Sequence, residues 1–188
     1  MSEVAQLCRQ DDSVLLVVDV QERLAAAMAP EARESVIRNA GILLQAATRL
    51  GVPRFLSEQY PKGLGPTVAG VLEKTDPKTL RFEKTCFSCH QSQEFVAALR
   101  ETGCRQVVIA GMEAHVCVIQ TAMELQAEGF DVFVAADAVC SRNPANRKNA
   151  LSRMCGVGVV VTNTESVVFE WLRDSRNEHF RVISALVR

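Results

Sequence analysis

The chain has 188 residues, 48% of them hydrophobic and 23% charged, a mix that excludes a disordered chain. Its 21 basic and 22 acidic residues leave a net charge of −1, so no broad positive field exists for non-specific nucleic-acid binding. Seven cysteines, an odd set, exclude a complete disulfide framework. The polar start MSEVAQLCRQDDS has no apolar export segment, and no apolar run is long enough to cross a membrane. A reduced, cytoplasmic chain with most thiols packed inside is expected.

The elements follow in order. VLLVVDV (14–20) is short, β-branched and apolar on both faces, the pattern of a strand inside a sheet. Residues 31–50 place Val36, Ile37, Ala40, Leu43, Leu44 and Ala47 at helical spacing, and Gly51 ends that helix. VPRFLSEQ (52–59) reads as the second strand. The Pro- and Gly-rich stretch 60–70 reads as a loop with a short element near 71–74. TLRFEKT (79–85) is the third strand. Residues 92–102 form a helix with Ser92 as N-cap. CRQVVIAGM (104–112) is the fourth strand, 116–128 a helix closed by Gly129, and 130–138 the fifth strand. Pro144 starts a helix over 144–155. The sixth strand spans 157–163, and helices are predicted over 164–172 and 175–187.

Strand and helix alternate throughout, with no linker or repeat. The economical fold is one domain over 1–188: a three-layer α/β/α, Rossmann-like arrangement with a six-stranded, mainly parallel sheet. Reactive groups in such folds gather at the carboxyl ends of the strands, near a switch in strand order. Asp19, Lys84 and Cys117 stand there. Asp19 interrupts an apolar run, and its partial desolvation suits a base; capping of loop amides is the alternative. Lys84 ends the third strand and pairs with Asp19, steadies a thiolate, or is simply solvated. Cys117 follows a strand and a tight turn, in the first turn of a helix. The helix dipole and free amides there predict a lowered thiol pKa and a nucleophile; the alternative is a small buried hydrophobe.

His115 lies two residues before Cys117 but points elsewhere on a helix, so it reads as a substrate-lining residue rather than a base. CFSCH (86–90) matches a haem-attachment pattern and a C-x-x-C redox pair. Haem attachment needs export, and a thioredoxin-like pair belongs elsewhere in its fold, so these residues read as loop packing near the site. Scattered histidines give no metal spacing, and no phosphate-binding glycine motif occurs, so neither metal nor cofactor is predicted.

Three motifs, in order, carry a family resemblance: the strand-ending Asp in VVDVQ, the Lys in RFEKTCFSC and the Cys in GMEAHVCVIQTA. The chain resembles the isochorismatase-like cysteine hydrolases over nearly its whole length. SEQYPKGLG and GMEAHVCV look closest to the isochorismatase-domain-containing subgroup. The resemblance implies a triad of Cys117 as nucleophile, Asp19 as general base and Lys84 as electrostatic partner. The expected reaction is hydrolysis of a small carbonyl compound, an amide or related C–N bond, through a thioester-type intermediate. It also implies a non-proline cis peptide at Met112–Glu113, in a turn (Met112, Glu113, Ala114) that aims amides up to Cys117 at an oxyanion. The metal-binding Asp and His of nicotinamidases are absent from SEQYPKGLG, which implies a metal-independent enzyme. Gln21, Tyr60, Phe87 and His115 are the expected substrate contacts. Relatives of this kind imply a homo-oligomer, a dimer or higher, acting on a small molecule without nucleic acid or membrane. The alternative is a non-enzymatic binding or interaction protein on the same fold.

Overall fold

Strand β1 (Ser13–Val18) is buried along its whole length, as an unbroken apolar run requires. The computed structural model describes residues 7–188; residues 1–6, at the head of the polar stretch read for an export signal, lie outside them. Around β1 stand β2 (Arg54–Gln59), β3 (Leu80–Lys84), β4 (Gln106–Met112), β5 (Asp131–Cys140) and β6 (Val160–Thr162). The order is β3-β2-β1-β4-β5-β6, and every pairing is parallel. The chain thus winds outward from β1 in one direction, then resumes beside it in the other. This reversal puts the carboxyl ends of β1 and β4 at the switch point.

The connecting helices are α1 (Glu22–Ala26), α2 (Pro30–Leu50), α3 (Pro61–Leu64), α4 (Ala69–Leu72), α5 (Gln93–Glu101), α6 (Ile119–Ala127), α7 (Pro144–Gly156), α8 (Thr164–Leu172) and α9 (Phe180–Ser184). They cover both faces of the sheet, because successive strand residues point opposite ways. Leu15 and Val17 join a core with Leu43, Leu44 and Ala47 of α2 and Val167 and Trp171 of α8. Val14, Leu16 and Val18 join the other, with Phe95 and Leu99 of α5, Ala122 and Leu125 of α6 and Met154 of α7.

Local signals act where expected. Gly51 adopts φ 73° at the end of α2, the left-handed cap that a side chain disfavours. The Ser92 side chain accepts from the Phe95 amide at the start of α5. Pro144 occupies the first turn of α7, behind an Asn143 cap.

Other elements depart from the sequence reading. Segment 60–70 contains α3 and the start of α4 rather than open loop. The helix predicted over 175–187 shrinks to α9 and a closing 3-10 turn. Asp174 and Asn177 instead accept from the amides of Arg176 and His179, and these side-chain turns compete with helix. Helix α7 continues to Gly156, and Gly158 turns at φ 93°, so β6 begins only at Val160. Strand β5 runs on to Cys140 past a register shift against β4. The helix expected from 116 begins earlier, as one wide π-type turn over Ala114–Val118 that leads into α6. No helix among the described residues is long and apolar enough to cross a membrane.

Candidate active site

Asp19 follows β1 directly and takes a left-handed φ of 51°, uncommon for a residue with a side chain. The Ser57 carbonyl accepts its amide at 3.1 Å and holds that geometry. The carboxylate is wholly buried. Lys84 Nζ, at the end of β3, donates to Oδ2 at 2.7 Å, and Ser57 Oγ donates to Oδ1 at 2.7 Å. Lys84 is also buried. Its ammonium faces Gln59 Oε1 at 2.9 Å and the carbonyls of Phe87 and Cys86 at 3.0 and 3.4 Å. Burial is the largest single effect and disfavours that ammonium, but the Asp19 charge, the neighbouring Cys89 and Cys117 and the hydrogen bond to Asp19 together outweigh it, so Lys84 sits above the ordinary lysine range.

Cys117 lies in the wide turn after β4, with the residue only 5% exposed. Its thiol is within hydrogen-bonding reach of the Asp19 carboxylate. Burial and then the Asp19 charge push the thiol well above its usual value, against an opposing pull from Lys84. This corrects the expectation of a lowered pKa. The helix dipole is a fraction of a charge, whereas Asp19 is a full charge in a dry site. The resting arrangement is therefore a thiol beside a carboxylate–ammonium pair.

The Met112–Glu113 peptide bond is cis. Glu113 is buried and clamped by Arg142, whose amide donates to Oε2 at 2.8 Å and whose Nε donates to Oε1 at 3.1 Å. His115 Nδ1 lies 3.0 Å from Ser141 Oγ. Residues 141 and 142 come straight from the end of β5, so the extra length of that strand buttresses the turn. The Glu113 carbonyl accepts from the amides of Val116 at 3.0 Å and Val118 at 3.3 Å. The Val116 amide is thus already committed, although it fell within the Ala114-to-Cys117 stretch expected to face an oxyanion.

The expected substrate contacts separate. Tyr60 and Phe87 are more than half exposed beside the Lys84 loop, and His115 is half-buried. Gln21 is wholly buried. Its amide donates to the carbonyls of Gln59 at 3.1 Å and Gly65 at 2.7 Å, and its oxygen accepts from the Gln59 amide at 2.7 Å. Gln21 ties the segment before α4 to the end of β2 and has no free polar atom facing the cleft. A cavity of about 610 Å³ opens beside β3, lined by Tyr60, Glu83, Lys84, Cys86 and the start of α5. Neither Asp19 nor Cys117 lines it, so the chemistry sits next to this cavity rather than in it.

Sequence reasoning missed Ser57 and Gln59. Both carry the very signal that singled out Asp19, a polar group at the carboxyl end of a buried strand. Cys89, read as loop packing near the site, is buried close to Asp19 and Lys84. All seven cysteines are free thiols, including Cys86 and Cys89. No group of three or more His, Cys, Asp or Glu among the described residues is arranged to hold a metal ion.

A family model described as the isochorismatase domain matches residues 13–166. Isochorismatase domain-containing protein 1 of Danio rerio is 41% identical over 177 residues, 94% of this chain but only 61% of that relative's length. Among solved structures, the MAR1 ribonuclease of Caenorhabditis elegans is similar at 32% identity with a TM-score of 0.90, covering 96% of this chain and 92% of that one. The YcaC gene product of Escherichia coli, described as an octameric hydrolase of unknown specificity, is similar at 26% identity and a TM-score of 0.88, covering 98% and 91%. With this family match, a shared all-parallel sheet and relatives that include a hydrolase, the chain belongs to the isochorismatase domain family.

Proposed function

We propose that the chain is a metal-independent cysteine hydrolase of small carbonyl compounds, with amides and related C–N bonds as the substrate class. One observation carries the reading: a wholly buried Asp19–Lys84 ion pair with the Cys117 thiol against the same carboxylate. Burying two charges is costly unless they are well paired, and hydrophobic residues of similar volume would hold a sheet end at least as well. A chemical role accounts for the cluster.

In the first half-reaction Asp19 accepts the thiol proton as the Cys117 sulfur attacks the substrate carbonyl carbon. The carbonyl oxygen gains the negative charge, and backbone N–H groups of the turn that are not committed to the Glu113 carbonyl, among them that of Cys117, stabilise it. Asp19 then gives its proton to the departing amine, the C–N bond breaks, and a thioester remains. In the second half-reaction Asp19 takes a proton from water, the hydroxide attacks the thioester, and the acid leaves as Cys117 regains its proton. Lys84 stays charged throughout and offsets the anion, whichever group carries it.

Met112, Glu113 and Ala114 shape the oxyanion turn. Tyr60, Phe87 and His115 border the substrate, whereas Gln21 supports the loop behind it. RNA is not proposed as a substrate, because a net charge of −1 offers no phosphate-binding field. Seven free thiols suit a reducing, cytoplasmic compartment. Assembly as a homo-oligomer, in keeping with the octameric relative, would cover exposed Tyr60, Leu80 and Phe87.

The test is turnover on a panel of small amides, carbamoyl compounds and esters. Hydrolysis by the wild type, abolished in Cys117→Ser with the melting temperature within a few degrees of wild type, supports the reading. Full activity in Cys117→Ser, or a silent panel with RNA cleaved instead, overturns it. A silent panel with tight binding of one panel member favours the binding-protein alternative.

A further inference from the structure

One buried hydroxyl at the site has no part in the steps above. Ser57 lies in β2, adjacent to β1, and is 1% exposed, so water does not compete for its bonds. It holds Asp19 twice: the Ser57 carbonyl accepts the Asp19 amide at 3.1 Å, and Ser57 Oγ donates to Oδ1 at 2.7 Å. An ionised carboxylate can only accept, so the proton of that short bond belongs to Ser57. Lys84 Nζ fixes the other oxygen at 2.7 Å. With one partner on each oxygen, the carboxylate plane cannot rotate freely.

Behind this pair the buried Cys89 closes the site. Its amide donates to Thr121 Oγ1 at 2.9 Å, which fixes it to α6, just beyond the turn that carries Cys117.

Resting on the hydrolase reading, we propose that Ser57 is a positioning residue for the reaction. Its hydroxyl on Oδ1, opposite Lys84 on Oδ2, fixes the plane of the Asp19 carboxylate so that it meets the Cys117 thiol in the orientation the proton transfer needs. Ser57 touches no substrate and acts only through Asp19.

The test is the rate of Cys117 alkylation by iodoacetamide near neutral pH, read by peptide mass spectrometry on the full chain. It needs no substrate. Ser57→Ala removes the hydrogen bond that fixes the Asp19 carboxylate, and the rate falls about tenfold. Ser57→Thr retains the hydroxyl and restores the rate, which a merely space-filling role would not require. Ser57→Cys, a weaker donor, lowers the rate by less, and it carries the test if Ser57→Ala does not fold. A wild-type rate in Ser57→Ala, or in Ser57→Cys where that variant stands in, overturns the proposal while leaving the hydrolase reading intact. A wild-type Cys117 inert to the reagent overturns the hydrolase reading itself, and this proposal with it.

Discussion

At Lys84, one side chain joins three strands: its ammonium reaches Asp19 after β1, Gln59 in β2 and the loop beyond β3. With both charged groups buried, removing one strands the other. Lys84→Met therefore leaves an unpaired carboxylate and lowers stability by about 3–5 kcal/mol. Thermal unfolding should show a drop of roughly 6–20 °C for a chain this size. Adding Asp19→Leu to that variant removes the stranded charge, so the double variant melts higher than Lys84→Met alone. A double variant no more stable than the single would show that the pair is not energetically coupled. Asp19, Lys84 and Cys117 were legible in the sequence because each breaks an apolar pattern or opens a helix. The state of Cys117 was not legible: its acidity depends on burial beside Asp19, a neighbour 98 positions earlier that only the fold brings near. Ser57 and Gln59 escaped because small polar residues near a strand end read equally well as solvent-facing.

Between elements, the site depends on how closely β1 and β4 approach at the switch point. Gly111 pairs with Val18 and adopts φ 124°; a Cβ there would stand 2.0 Å from the Val18 carbonyl oxygen. The obstacle is backbone, so it cannot swing aside as a side chain would. Gly111→Ala should cost at least about 3 kcal/mol, combining overpacking with an unfavourable φ. The melting temperature then falls by roughly 6–12 °C, and Cys117 alkylation slows because Asp19 and Cys117 follow these two strands. A variant with wild-type melting and alkylation would refute this account of the approach. Regular elements were legible where caps and periodicity agree, as at Gly51, Ser92 and Pro144. The wide turn at Ala114–Val118 and the extension of β5 were not. Both depend on tertiary partners, Glu113 with Arg142 and β4 with β5, that no local window contains.

For the whole molecule, the sheet order gathers the ends of four strands into one cluster. Alternating strand and helix patterns predicted the layers, and the parallel crossover rule limited the topologies. The strand order itself, with β1 between β2 and β4, follows from packing across the entire chain. Buried thiols make the whole fold sensitive to alkali. Cys89 and Cys140 rise from 9.0 to about 11 on folding, through burial and then the charges of Asp19 and Glu113 respectively, and Lys84 is also raised. A group whose folded pKa is raised contributes stability that is complete below its unfolded value and lost as pH climbs through the folded one. The melting temperature should therefore change less between about pH 7 and 9 than between about pH 9 and 11, where it falls; a flat profile across the upper range would contradict these environments. The most direct test of the central claim is made on the intact chain: acid-quenched mass spectrometry during turnover of an active panel substrate. An added mass equal to the acyl group is expected, located on Cys117 and absent from Cys117→Ser. An acyl adduct on another residue, or turnover with no adduct when the second step has been slowed, would contradict it.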